Sequence, residues 1–240
     1  MTNRSDTMLR VEDLTKRYDA EGAGIDHVTF SAVRGDVLGI IGPNGAGKTT
    51  LLEAIAGLLA ADAGRVLWRS EPLPTSARRH ALFYLPDGVR PYPDQWTAQV
   101  IWSFASVYRR SQADVRAIIA ALGLEPVLAK RVRELSKGYG RRLMLALGLL
   151  APHDMLLMDE PFDGFDLRQT RDVIGLLRDQ AAHGRTLMLA IHQLADAERA
   201  CDRFVLLAGG RVRGFGTLDE LRARTASPGG SLEDIFLALT

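Results

Sequence analysis

Cysteine is almost missing from this chain. Cys201 is the single one among 240 residues, which excludes an internal disulfide framework and fits a reducing compartment. A small, partly buried residue explains Cys201 better than a catalytic thiol does. No His or Cys cluster offers metal-ligand spacing. An excess of one charge is missing too. The 30 Lys and Arg are scattered among 29 Asp and Glu, for a formal net charge of +1, so bulk charge points to no nucleic-acid partner. Long apolar runs are absent. The longest, Leu143 to Ala151, is far too short to span a bilayer. Met1 to Asp6 is polar where a signal peptide would be apolar. The expectation is a chain soluble by itself that docks on any membrane partner.

What remains is an average globular composition, 47% hydrophobic and 25% charged. That length allows one domain with a subdomain. Met1 to Thr7 reads as a loose tail. Strand signals fall at Leu9–Val11, Val28–Phe30, Val37–Ile41, Arg65–Trp68 and Ala81–Leu85. Trp96 to Leu150 changes character, with helical spacing at Val100, Phe104 and Val107, at Val115, Ile118, Ile119 and Leu122, and at Leu143, Leu147 and Leu150. Strands resume at Met155–Met158 and Thr186–Ile191, flanking a helix over Leu167–Ala182. Further strands at Phe204–Leu207 and Arg211–Phe215 precede two short helices, Leu218–Arg224 and Leu232–Leu239. Alternating strands and helices predict an α/β core with a mostly parallel sheet, interrupted by a helical insertion.

The stretch Gly42-Pro43-Asn44-Gly45-Ala46-Gly47-Lys48-Thr49-Thr50 follows the buried strand and opens a helix. It fits G-x-x-x-x-G-K-[ST], and this context separates it from a chance Gly-rich turn. The glycines let backbone N–H groups point at phosphate oxygens, and the helix adds its positive end. Lys48 supplies a point charge for the β- and γ-phosphates, and the Thr49 hydroxyl a ligand for Mg²⁺. The apolar run Leu156-Leu157-Met158 ends in Asp159 and Glu160, at the sheet edge where ligands bind. Asp159 is placed to hold Mg²⁺ and Glu160 to polarise the water that attacks the γ-phosphate. A solvated Asp-Glu pair at a strand end is common, and the phosphate loop upstream is what gives this one its functional reading. A guanine-recognition Asn-Lys-x-Asp motif is impossible, because the only asparagines are Asn3 and Asn44.

Between loop and carboxylates lies Leu135-Ser136-Lys137-Gly138-Tyr139. This order of motifs resembles the ATP-binding subunits of ABC transporters over nearly the whole chain. Leu135 to Tyr139 is similar to the family signature, Asp163-Gly164-Phe165-Asp166 to its D-loop, His192 to its switch histidine, and Tyr18 to the aromatic that stacks on adenine. The resemblance implies a P-loop NTPase fold with an N-terminal antiparallel β subdomain. It divides the single domain 1–240 into a nucleotide-binding core (8–87 and 153–225), a helical subdomain (88–152) and a C-terminal helix (226–240). It further implies ATP and Mg²⁺ bound between two subunits, expected to be a homodimer packed head to tail. Ser136 and the Gly138 N–H would reach the partner's γ-phosphate, His192 would hold that phosphate and the attacking water, and Asp166 would link the two sites. A separate transmembrane permease is the expected docking partner, on the cytoplasmic face of the membrane, with Tyr92, Trp96 and Trp102 near its groove or in the core.

Three positions depart from the family pattern. Lys137 and Tyr139 replace the usual Gly and Gln, and together with Arg141-Arg142 they resemble ATPases that serve small export permeases, as does the end, Leu232 to Thr240. Asp87, after Tyr84-Leu85-Pro86, stands where the family has a Gln that gives an oxygen to Mg²⁺. A carboxylate suits Mg²⁺ but is one methylene shorter, and Pro86-Asp87-Gly88 also reads as a plain turn. The expectation is that Asp87 serves as that ligand. Two other functions stay open: a soluble ABC protein acting outside transport, and a regulatory partner that hydrolyses poorly.

Overall fold

The computed structural model describes residues 7–18, 24–225 and 229–240; Met1 to Asp6, expected as a tail, and 226–228, the start of the expected C-terminal segment, lie outside them. Thr7 is not tail but the first residue of a strand.

Two sheets organise the chain. The first is antiparallel, in the order β2-β1-β4-β5, built from β1 (Thr7–Arg17), β2 (Gly24–Val33), β4 (Ala63–Trp68) and β5 (Glu71–Pro72). The second has six strands in the order β10-β9-β3-β8-β7-β6: β3 (Val37–Ile41), β6 (Leu82–Leu85), β7 (Met155–Asp159), β8 (Thr186–Ile191), β9 (Arg203–Ala208) and β10 (Arg211–Gly216). All its pairings are parallel except β9 with β10. Those two strands are joined at Gly209 and Gly210, both at positive φ, as a tight hairpin of right-handed twist requires.

Alternation along the parallel strands sorts side chains into two cores. Leu38, Ile40, Met155, Leu157, Met188, Ala190, Val205 and Leu207 face α1 (Lys48–Ala56) and the antiparallel sheet. Val37, Ile41, Leu156, Met158, Leu187, Leu189, Phe204 and Leu206 face the remaining helices. Both faces are covered, which explains why these strands read as unbroken apolar runs. Cys201 lies under Gly39, where a Cβ would stand 3.0 Å from its Sγ, and burial pushes its thiol pKa up. It is a packing residue.

The helical region comprises α3 (Thr97–Val107), α4 (Gln112–Ala121), two short 3-10 turns and α5 (Lys137–Leu150). Its inward face on α3 is Val100, Ile101 and Ala105, while Val107, expected inward, is 74% exposed. The chain continues with α6 (Leu167–Ala182), α7 (Leu194–Ala200), α8 (Leu218–Thr225) and α9 (Leu232–Leu239). Two helices went unforeseen, α7 and α2 (Thr75–Ala81). The helix after the phosphate loop stops at Ala56, because Gly57 takes the left-handed conformation and caps it.

Candidate nucleotide site

The loop from Gly42 to Gly47 turns between β3 and α1 at the C-terminal edge of the parallel sheet. Its glycines are there for space. A Cβ on Gly42 would meet the Leu207 carbonyl oxygen at 2.3 Å, and one on Gly47, at φ +100°, the Gly24 carbonyl oxygen at 2.7 Å. Ala46 is buried in the core and donates to the Pro43 carbonyl at 3.1 Å while accepting from Gly210 at 3.2 Å. These bonds hold the loop open around a cavity of about 430 Å³, lined by Asn44, Gly45, Gly47, Lys48, Thr49 and Thr50 on one side and by Asp87, Asp159 and Glu160 on the other. Tyr18, 56% exposed, stands at its rim with its hydroxyl 3.3 Å from Thr50 Oγ1.

Lys48 is buried, and a buried ammonium must be compensated. Its Nζ donates to the Gly42 carbonyl at 2.9 Å and the Pro43 carbonyl at 3.3 Å, and lies 3.6 Å from Glu160 Oε1. Thr49 Oγ1 donates to Asp159 Oδ2 at 2.6 Å. Desolvation raises the Asp159 pKa above its usual value; the Thr49 hydrogen bond opposes this, and Glu160 and Asp87 add to it. Glu160 itself has φ +48°, strain that a non-glycine residue tolerates only where the surroundings enforce it. Its N–H is held by the Ala190 carbonyl at 3.0 Å. His192 Nδ1 lies 2.6 Å from Glu160 Oε2. A carboxylate only accepts, so Nδ1 carries the proton of that bond.

Ser136, Gly138 and Asp166 do not line this cavity. Ser136 is the N-cap of α5 and accepts from Tyr139 N at 3.3 Å. Gly138 packs against the segment after Glu160, its Cβ position 3.5 Å from the Gly164 carbonyl oxygen and 3.6 Å from Gln169 Oε1. Asp166 caps α6, accepting from Gln169 N at 2.8 Å. Asp87 does border the cavity, and it also accepts from Arg141 at 2.5 Å. Neither that ion pair nor the strained Glu160 backbone was visible beforehand. A spacing pattern in sequence carries no signal for either.

A parallel sheet, a glycine loop on a helix start, and a Thr–carboxylate pair that joins that helix to the end of β7, two strands over from β3, define a P-loop nucleotide-binding domain. The ABC transporter family model matches residues 25–163, and the chain belongs to that family and binds ATP. It is 32% identical over 244 residues to the probable multidrug ABC transporter ATP-binding protein YbhF of Escherichia coli (strain K12), covering 98% of this chain and 42% of that protein. The chain therefore spans less than half the length of that relative. It is 36% identical over 205 residues to Nod factor export ATP-binding protein I of Paraburkholderia xenovorans (strain LB400), covering 83% of this chain and 67% of the relative. A solved ATP-binding subunit of an ABC transporter superposes with a TM-score of 0.86 at 32% identity, covering 97% of this chain and 99% of that one.

Proposed function

We propose that this chain hydrolyses ATP, with Mg²⁺, at the interface of two copies packed head to tail, and that the cycle drives export through a separate membrane permease. The observation that carries the reading is the run of contacts from Lys48 through Glu160 to His192, beside the Thr49–Asp159 pair. The relative named for Nod factor export favours that direction.

Hard oxygen donors suit Mg²⁺, and the Thr49 hydroxyl and Asp159 carboxylate, with Asp87 across the cavity, are the residues we assign to it. The cation would neutralise phosphate charge. Backbone N–H groups of the loop and Lys48 hold the phosphates, and Tyr18 stacks on the base. Glu160 takes the proton of the attacking water. His192 steadies Glu160 through Nδ1–H, so only its imidazolium form has a second donor, at Nε2, to offer a γ-phosphate. Ser136, Gly138 and Asp166 serve the partner's site. No helix among the described residues is long and apolar enough to cross a membrane, and we assign the crossing to the permease, with this chain on its cytoplasmic face. Near-neutral charge supports no role for nucleic acid.

The test is Glu160→Gln in the purified protein. ATP turnover is expected to fall at least about 100-fold, the usual scale for losing a general base, with ATP affinity unchanged. Turnover at the parent rate removes Glu160 from this role. Asp87→Ala is expected to raise the Mg²⁺ concentration giving half-maximal ATPase, and Asp87→Gln to restore it; identical Mg²⁺ curves for all three proteins exclude Asp87 as a ligand.

A further inference from the structure

Lys137 and Arg141 lie one turn apart on α5 and project toward the catalytic edge of the sheet, where each meets a carboxylate. Lys137 Nζ lies 2.8 Å from Asp163 Oδ2, and the Arg141 guanidinium 2.5 Å from Asp87 Oδ1. The carboxylates follow neighbouring strands, Asp87 just after β6 and Asp163 just after β7, which pair in parallel with Leu85 opposite Met158. Gly164, at φ +85°, leaves room for the Lys137 stem, since a Cβ there would sit 3.1 Å from three of its carbons. Arg141 is deeply buried, with its side chain 8% exposed, so its charge depends on Asp87. The Lys137 ammonium holds the Asp163 carboxyl below its usual pKa. Between the two pairs lies a cleft of about 260 Å³ lined by both.

We propose that Lys137 and Arg141 are positioning residues, a two-point ionic clamp that fixes the start of α5, and with it Ser136 and Gly138, on the loops that follow β6 and β7. Lys137 is thereby committed to its own chain and is not a ligand for a partner's phosphate. The clamp explains why a bulky residue is accommodated inside the signature. It rests on the proposed head-to-tail reading, because what it positions acts on the other copy.

Two measurements separate the clamp from that reading. The first is amide hydrogen exchange at 136–141 in the nucleotide-free protein. The second is ATP-driven dimerisation, followed by light scattering in the Glu160→Gln background. Lys137→Met is expected to weaken dimerisation about threefold and Arg141→Met about tenfold, the difference reflecting an exposed lysine and a buried arginine. Both speed exchange at the start of α5 and leave monomer affinity for a fluorescent ATP analogue unchanged. Reversing the exposed pair, Lys137→Glu with Asp163→Lys, is expected to restore dimerisation to within about twofold of the parent. A reversed pair no better than Lys137→Glu alone overturns the clamp and makes Lys137 a phosphate ligand. Unchanged exchange and dimerisation in both Met variants overturn it as well. If the Glu160→Gln parent itself fails to dimerise with ATP, the head-to-tail reading fails, and exchange alone decides the clamp.

Discussion

Asp159 shows how a single carboxylate at this edge trades stability for function. It is 3% exposed and its pKa is raised by burial. A carboxyl raised in the folded state contributes stability that is fully present below its unfolded pKa and lost as pH rises through the folded value. At neutral pH the nucleotide-free fold thus carries a charge that it holds at a cost. Asp159→Asn is expected to melt roughly 2–4 °C above the parent at pH 8, corresponding to about 1 kcal/mol in a domain of this size. The gap should narrow toward pH 4. If Asp159 is the Mg²⁺ ligand proposed above, the same substitution abolishes the extra stabilisation that Mg²⁺ adds to ATP. Thermal melts across pH, with and without Mg²⁺, check both halves. Lys48 and Thr49 were legible because spacing along one strand–loop–helix fixes their neighbourhood, and Asp159 and Glu160 because a second apolar strand ends in them at the same sheet edge. Glu160's positive φ was not legible, since no residue pattern in a sequence encodes it, and the Asp87–Arg141 pair joins two residues that belong to no common motif.

At the scale of elements, α5 is bound at both ends. Its C-terminal carbonyls are met by two arginines. Arg110 donates to Leu150 at 2.7 Å and Ala151 at 3.0 Å. Arg185 donates to Leu149 at 3.0 Å, to Ala151 at 2.6 Å and to His153 at 3.1 and 3.2 Å, and burial lowers its pKa to about 10. Positive charge suits a helix C-terminus, and these carbonyls have no partners within the helix. Arg185→Ala is expected to cost about 3 kcal/mol, because it strands several buried acceptors together, and to lower Tm by roughly 6–12 °C. Arg185→Lys should recover only part, as one ammonium cannot span the same carbonyls. A Tm within 2 °C of the parent for Arg185→Ala, inside the scatter of surface substitutions, would count against this capping role. Element legibility followed length. The sixteen residues of α6 were read end to end, whereas α2 and α7, seven residues each, are too short for a helical period to stand out and are stabilised by packing. Val107 misled for another reason: α3 turns its inward face through Ile101 and Ala105, which an alternative spacing on the same helix serves equally well.

At the scale of the whole molecule, Asp87 lies between the nucleotide cavity and a segment of exposed aromatics. Asp87 borders the cavity, and the segment that leaves it carries Val89, Tyr92 and Trp96, exposed by 52%, 67% and 46%. Trp102 on α3 is exposed as well, so these aromatics are surface and not core. Trp96 has an internal task, since the Arg131 guanidinium lies over its ring at 4.9 Å. Among the described residues, none stacks on Tyr92 or Trp102 or places a cation over their rings, and aromatic residues left on a surface are what interface hot spots are made of. The Tyr92→Ser, Trp102→Ser double variant is therefore expected to keep its ATPase rate as an isolated protein within about twofold and its Tm within about 2 °C, since surface changes seldom cost more. Its co-purification with the proposed permease from detergent-solubilised membranes should fall at least about tenfold, on the scale of losing one or two hot-spot side chains. Equal co-purification by parent and variant would move the docking face elsewhere. A variant that loses ATPase activity on its own would instead tie the aromatics to the fold around Asp87.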